Sequence, residues 1–347
     1  MRLAELALCG AARQTLVAVS ASPKPMTSVS IIIATSGRLP ALRETLRSLG
    51  AAAVPADFSV ELVLVENVAR VGAEELLRAF PAGRFTAVKY LFEPARGKSN
   101  ALNLALSQAT GDILLFSDDD VRFPPNWVAR MCEPILTGRA DAVAGWVKLA
   151  PHLLRPWMNH THRAWLASTA DYLSPAAPSE MCGANMAVSR RVFDKIGDFD
   201  PELGPGITGG GEESLLSWQL QQAGFRLVAA PEVEVEHHPD PVRLLYPNWI
   251  NAARLKGRAR AYLLHHWHHR TLPCAWLKRP YFQLKLTLRR AVSSKRTAKD
   301  EGIAPWELSY VEDIATCTHY LRERRQRKHY DCHGRCQLNR DRHPVTS

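Results

Sequence analysis

No stretch of this 347-residue chain reaches the roughly 18 consecutive apolar residues that a membrane-spanning helix requires. Cysteine is sparse and odd in number. The seven residues (9, 132, 182, 274, 317, 332 and 336) are scattered, which argues against a disulfide scaffold and fits a reducing cytoplasm. Internal repeats are lacking. Acidic residues are short in one part only: 22 Lys and Arg face 25 Asp and Glu up to residue 238, but 22 face 9 beyond it. What remains is a globular composition, 46% hydrophobic and 22% charged, long enough for one large α/β domain with an appendage or for two domains. Residues 1–25 form an apolar run broken by Glu5 and Arg13, and are expected to be a loose extension or a mis-assigned start ahead of Met26.

Strands and helices alternate after that. Val29 to Ala34 (VSIIIA) and residues 60–67 (VELVLVEN) are continuous apolar runs of the kind buried on both sheet faces. Helical spacing follows the first at Leu42, Leu46 and Leu49, and a short helix is expected at 74–80 after the second. A third strand is expected at 85–92, a helix at 98–109 and a fourth strand at 112–117. The pattern predicts a mostly parallel sheet covered by helices on both faces, whose ligands sit beyond the carboxyl ends of the strands. Three of those ends carry polar candidates: Thr35 and Ser36, Glu66 and Asn67, and Asp118 to Asp120. The later half is more mixed, with strands at 142–149 and within 182–188, a helix after Ser189 as its N-cap, and a Gly-rich loop (204–211) ahead of a helix ending at Gly224. A strand closing on His237 and His238 completes this part.

The sharpest chemical signal is FSDDDV. Neighbouring carboxylates repel one another, and oxygen ligands one residue apart at a strand end suit Mg²⁺ or Mn²⁺ bridging a diphosphate. An acidic surface turn is the plainer alternative.

The ordered segments SVSIIIATSGRLPALRETLRSL, VELVLVEN, RGKSNALNLAL, GDILLFSDDDV, GANMAVSRRVFDKIGDFD, GGGEESLLSWQLQQAGFR and PEVEVEHH resemble family 2 glycosyltransferases, inverting enzymes of the GT-A fold, over about residues 28–238. The resemblance implies a GT-A (Rossmann-like) α/β domain at 26–238, a nucleotide-sugar donor (a UDP-sugar first), a divalent metal (Mn²⁺ or Mg²⁺) and direct displacement at the anomeric carbon. It implies donor contacts from Ala34, Thr35, Ser36, Glu66, Asn67, Arg96, Lys98, Asn103, Asp118 and Asp119, with a small or polar Ser36 where the family often has an aromatic residue. Asp120 is the first metal ligand it implies, joined by Asp118 and His237. Gly183, Ala184 and Asn185 fall on the acceptor and sugar side. The family's Gly-Glu-Asp motif, which carries the base, maps onto Gly211-Glu212-Glu213, so Glu213, ahead of Glu212, replaces the usual aspartate. The structural alternatives are helix-start polarity for the Arg96–Asn103 group and dipole complementation for the glutamates.

Residues 239–292 are expected as a basic amphipathic helical extension, either lying on an anionic membrane or packed on the body. Residues 293–347 are expected as a basic, largely disordered tail, and its Cys332, Cys336, His329, His333 and His343 match known zinc spacings poorly. His265, His266, His268 and His269 are expected at a surface or interface. The combined expectation is a hexosyltransferase acting on a saccharide, lipid-linked or polysaccharide acceptor of the cell envelope, in the cytoplasm at the inner face of the membrane. Two rival functions compete. A nucleotidyltransferase needs a Gly-rich basic loop after the first strand, where TSGRLP has one glycine and one arginine. A nucleic-acid binder would work through the basic third, which has charge but no nucleic-acid motif, so no specific nucleic acid is expected.

Overall fold

Three consecutive isoleucines orient the sheet. In β1 (Thr27–Thr35), Ile31 and Ile33 point to one face and Ile32 to the other, the alternation that a pleated strand imposes. The computed structural model describes residues 26–293 and 301–331. The expected N-terminal extension, residues 1–25, and the Cys332–Cys336 stretch lie outside the described residues.

After β1 come α1 (Leu39–Gly50), β2 (Phe58–Asn67), α2 (Ala73–Arg78), β3 (Ala87–Glu93), α3 (Lys98–Gln108) and β4 (Ile113–Asp118). The mixed half contains β5 (Val121–Arg122), α4 (Trp127–Leu136), β6 (Ala142–Leu149), α5 (His160–Trp165), β7 (Met186–Ser189), α6 (Arg190–Ile196), α7 (Glu212–Gln222) and β8 (Leu227–His237). Three helices close the described chain: α8 (Tyr246–Tyr262), α9 (Ala275–Val292) and α10 (Pro305–Glu323). The sheet order is β3-β2-β1-β4-β7-β6-β8-β5. Strands β1 to β4 pair in parallel, β7 runs antiparallel to β4 and β6, and β6 is parallel to β8.

Each face buries its own core. Ile31, Ile33, Leu62 and Leu64 pack with Leu42, Leu46 and Leu49 of α1 and with Trp127 and Met131 of α4. Ile32, Val63 and Val65 pack with Ala101, Leu102 and Ala105 of α3 and the rings of Phe116, Phe193 and Phe199. The helices therefore cover both faces, as the apolar strands require. Ser189 does stand at the start of α6, but its hydroxyl makes no capping bond, and β7 begins only at Met186.

The C-terminal part departs from expectation. Residues 305–323, expected within a disordered tail, form a helix whose Leu308, Val311, Ala315, Cys317 and Tyr320 are buried. Charged residues on the outer face hid this apolar stripe. Helix α8 approaches α10 so closely that a Cβ on Gly257 would collide with the Glu312 carbonyl oxygen. His265 and His266, expected at a surface or interface, are buried in a π-helical turn after α8, where His266 Nε2 lies 3.2 Å from Glu323 Oε2. No helix among the described residues is long and apolar enough to cross a membrane.

One buried carboxylate joins the body to this helical part. Asp200 accepts from Glu202 N–H (2.9 Å), Tyr262 O–H (2.9 Å), Trp267 Nε1–H (2.6 Å) and Tyr330 O–H (3.1 Å). Removing it leaves three buried side-chain donors unpaired, so Asp200→Ala is expected to cost about 3–5 kcal/mol in urea unfolding. A loss within experimental error of zero would contradict this role.

Candidate active site

Parallel pairing brings the carboxyl ends of β1, β2 and β4 to one edge, with Thr35 opposite Glu66 and Ala34 opposite Asp118. The three aspartates then turn into β5, whose Val121 pairs antiparallel with His237 at the end of β8. His238 N–H also donates to the Asp120 carbonyl at 2.7 Å. This register sets Asp120 against His237, although they are far apart in sequence.

The aspartates face different ways. Asp119 accepts from Thr35 Oγ1 (2.6 Å) and pairs with Arg38. Burial raises its pKa above the ordinary value, against the pull of Arg38. Asp120 takes Arg38 on Oδ2 (2.7 Å), while Oδ1 is buried with no hydrogen-bond partner, 3.3 Å from His237 Nε2. Burial opposes ionisation of Asp120, yet His237 and Arg38 hold its carboxyl well below the usual range. Asp118 receives Lys98 Nζ at 2.6 Å. Thr45 of α1 braces the turn, donating to the Asp119 carbonyl (2.8 Å) and accepting from Val121 N–H (3.1 Å).

Asp118, Asp120 and His237 offer ligand atoms within 4.8 Å of one another. His237 Nδ1 lies 2.9 Å from the Leu166 carbonyl, which can only accept, so in the neutral ring the proton sits on Nδ1 and Nε2 keeps the lone pair that can ligate a metal. Two lone pairs, one on an orphaned carboxylate oxygen and one on imidazole, thus face the same space. Two carboxylates and one imidazole fit Mn²⁺ well and Mg²⁺ acceptably. His238 turns aside, with Nε2 2.7 Å from Glu236 Oε1.

Beside this cluster begins α7. Lys98 reaches Glu213 Oε1 (3.4 Å) and, more distantly, Glu212 Oε1 (4.0 Å). Burial works against the Lys98 charge, but Asp118, Glu213 and Glu212 keep the ammonium protonated well above its usual pKa. Glu212 is buried, its Oε2 lacks a partner, and burial together with Glu213 pushes its pKa well above 4.5. Glu213 is partly open. A Cβ on Gly183 would clash with Glu213 Oε1 and approach Lys98 Nζ to 2.9 Å, so the glycine supplies the room that the longer glutamate occupies.

Other sequence candidates hold the framework. Asn67 donates to the Glu93 and Ala95 carbonyls (2.9 and 2.7 Å) and accepts from Gly97 N–H (3.1 Å), which uses its whole amide to fix the loop before α3. Glu66 accepts from Val71 N–H, Ala73 N–H and Tyr90 O–H. Asn103 brackets Phe199, donating to its carbonyl and accepting from its N–H. Asn185 accepts from Trp127 Nε1–H (2.8 Å) and donates to the Trp146 and Val233 carbonyls (2.9 Å each), spanning the irregular pairing of β6 with β8. Ala184 is buried beside it, whereas Arg96 and Ser36 are exposed at the rim with Ala34 half-buried below. Arg38 was not singled out from the sequence, although Arg after Gly in the turn following β1 is a visible cue. Arg243, within electrostatic reach of Asp120 and Asp118, left no such cue.

A curled, mostly parallel sheet with an acidic cluster and a histidine at its strand ends is the arrangement of a GT-A-type fold. Residues 30–197 match the family model "Glycosyl transferase family 2". The chain carries a family 2 glycosyltransferase domain and is an enzyme of that class. It is similar to the succinoglycan biosynthesis protein ExoM of Rhizobium meliloti, 28% identical over 226 residues that cover 63% of this chain and 70% of that protein. It is also 25% identical over 205 residues to polypeptide N-acetylgalactosaminyltransferase 10 of Rattus norvegicus, covering 53% of this chain but only 33% of that one. Among solved structures, the mannosyltransferase PcManGT from Pyrobaculum calidifontis in complex with GDP-Man and Mn²⁺ superposes with a TM-score of 0.57 at 20% identity, over 87% of this chain and 90% of that one. That likeness concerns the fold.

Glu212 makes the site costly as pH rises. Its folded pKa lies above the unfolded 4.5, so the folded chain holds a proton that the unfolded chain has released, and stability falls between those two values. Glu212→Gln removes the effect. The variant should match the parent near pH 4 and become progressively more stable than it toward pH 8 in urea titrations. A variant that loses ground as pH rises would refute the assignment.

Proposed function

We propose that this enzyme transfers a hexosyl group, with inversion, from a nucleoside-diphosphate sugar (a UDP-sugar first) to a hydroxyl of a saccharide or lipid-linked acceptor of the cell envelope. The reaction is placed in the cytoplasm at the inner face of the membrane. The observation that carries this reading is the convergence of Asp118, Asp120 and His237 beside Glu213 and Lys98 at the strand ends of a glycosyltransferase domain. Residues 26–238 form the catalytic body in this reading, and the rest a helical extension.

Asp118, Asp120 and His237 would hold Mn²⁺ or Mg²⁺, whose chemistry is to neutralise the departing diphosphate. Arg38 keeps Asp120 aimed by holding its other oxygen. Glu213 is the base: it takes the acceptor hydroxyl proton as that oxygen bonds to the anomeric carbon and the nucleoside diphosphate leaves from the opposite face. Burial and Glu213 push Glu212 toward its neutral form, which makes it the poorer base and spares Glu213 a second full negative charge. Lys98 balances Glu213 and Asp118 together. Thr35, Ser36 and Arg96 stand on the donor side of the cleft rim, and Gly183 on the acceptor side.

Glu213→Gln should lower kcat by about 10²–10⁴-fold with donor binding retained, while Glu212→Gln keeps most of the rate. A thermal-shift screen of UDP-, GDP- and dTDP-sugars with Mn²⁺ should single out one donor that raises the melting temperature only when metal is present. Asp120→Ala should abolish that shift. Full transfer activity in Asp120→Ala, or in the parent enzyme with chelator, would overturn the proposal.

A further inference from the structure

Helix α9 leaves a broad apolar face without a partner among the described residues. Leu277, Tyr281, Leu284, Leu288 and Val292 recur at steps of four and three residues, with Trp276 beside them, and their exposures run from 49% at Leu277 to 84% at Val292. The opposite side holds the helix to the body: Ala275 and Leu286 are buried, and Phe282 packs toward Cys317 and Tyr320 of α10. The helix carries two basic rows. Of these, the row of Lys278, Lys285 and Arg289 borders the open face, whereas Arg279 and Arg290 lie toward the body side, where Arg290 pairs with Glu307 of α10; α9 contains no Asp or Glu. A cavity of about 540 Å³ beside the helix, between α8 and α10, adds Arg254 and has no acidic residue in its lining.

We propose that α9 is an interfacial membrane anchor, which docks its apolar face into the headgroup boundary of an anionic bilayer. This rests on the membrane-side placement proposed above and names the element responsible for it. Charge decides the occupant. Anionic headgroups meet the row of Lys278, Lys285 and Arg289 while the hydrocarbon boundary takes Leu284, Leu288 and Val292. A second copy would set two all-basic helices against each other, at the cost of like-charge contact. Trp276 and Tyr281 each present a flat apolar ring with one polar atom, the side-chain type that settles at a membrane–water boundary. Lys285 Nζ lies over the Tyr281 ring at 4.7 Å, and Arg289 over Trp306 of α10 at 4.7 Å, so the cations stand at the edges and leave the face itself open.

The test is co-sedimentation of the full chain with vesicles of phosphatidylcholine alone or with about one third phosphatidylglycerol. The parent should bind the anionic vesicles, less so as salt rises, and leave the neutral ones. Leu284→Glu with Leu288→Glu should reduce the bound-to-free ratio by roughly a hundredfold. Lys278→Gln with Lys285→Gln should reduce it by about tenfold. These positions lie outside the cleft, so donor hydrolysis without vesicles and the melting temperature should match the parent in both variants. Binding that ignores lipid charge, or that persists in the Leu variant, would overturn the proposal. So would a concentration-dependent dimer that the Leu variant abolishes in the absence of vesicle binding. A parent that binds vesicles but hydrolyses no donor would sink the catalytic reading and leave this one standing.

Discussion

Carboxylates crowded and buried together are the constraint around which this molecule is arranged. Asp119, Asp120 and Glu212 are each nearly inaccessible to solvent within one cleft, and buried ionised carboxylates are expensive unless something answers them. The answers are shared out: Arg38 bridges Asp119 and Asp120, Lys98 links Asp118 to Glu213, and burial beside Glu213 pushes Glu212 toward its neutral form. The parallel sheet makes this possible, because strand carboxyl ends and helix amino ends share one edge. The strands deliver the aspartates, and the starts of α1 and α3 deliver the cations a few residues later. One carboxylate oxygen, Asp120 Oδ1, remains unanswered beside an imidazole lone pair, and there a divalent cation fits.

The same edge shows what a sequence can disclose. Apolar runs such as VSIIIA locate buried strands because nothing else explains three adjacent isoleucines inside a sheet covered on both faces. The DDD turn and the Gly-Glu-Glu start of α7 are legible because charge repulsion makes such clusters rare without a purpose. Polar residues at strand ends are harder. Glu66, Asn67 and Asn185 stand where a ligand contact is expected, yet their hydrogen bonds go to backbone groups at loops and at the β6–β8 irregularity and to the side chains of Tyr90 and Trp127. Sequence places a polar group but does not say which way it points. Helix α10 was hidden for a related reason: its buried stripe is interleaved with charges and followed by a basic run, which in one dimension looks like disorder.

The helical part does more than extend the body. Loop 204–211, which leads to Glu213, is held from both sides. Ser99 Oγ donates to the Leu203 carbonyl and Lys98 N–H to the Pro205 carbonyl, while Arg258 of α8 donates to the Ile207 carbonyl. Asp200 fastens the same neighbourhood to Tyr262, Trp267 and Tyr330. The start of α7 is therefore set from one side by α3 and from the other by helices beyond residue 197, where the family match ends. A loop rich in glycine is expected to move. Here Gly209 packs close against α8, a Cβ on it falling 2.6 Å from Leu255 Cβ, and Gly204, Gly206, Gly209, Gly210 and Gly211 all take positive φ.

That support bears on why a glutamate can stand where related enzymes place an aspartate. One added methylene moves a carboxylate by about one carbon–carbon bond, too far to tolerate if both the helix start and the facing strand were unchanged. The extra reach is taken up over Gly183, the single position on the opposing segment with no side chain to obstruct it, and the carboxylate ends against Lys98. Lys98 in turn is shared with Asp118, so the proposed base and one proposed metal ligand are coupled through a single ammonium. Charge added at the metal side draws on the same cation that steadies the base. In the proposed mechanism, donor binding and proton abstraction are thus linked through the shared Lys98 ammonium.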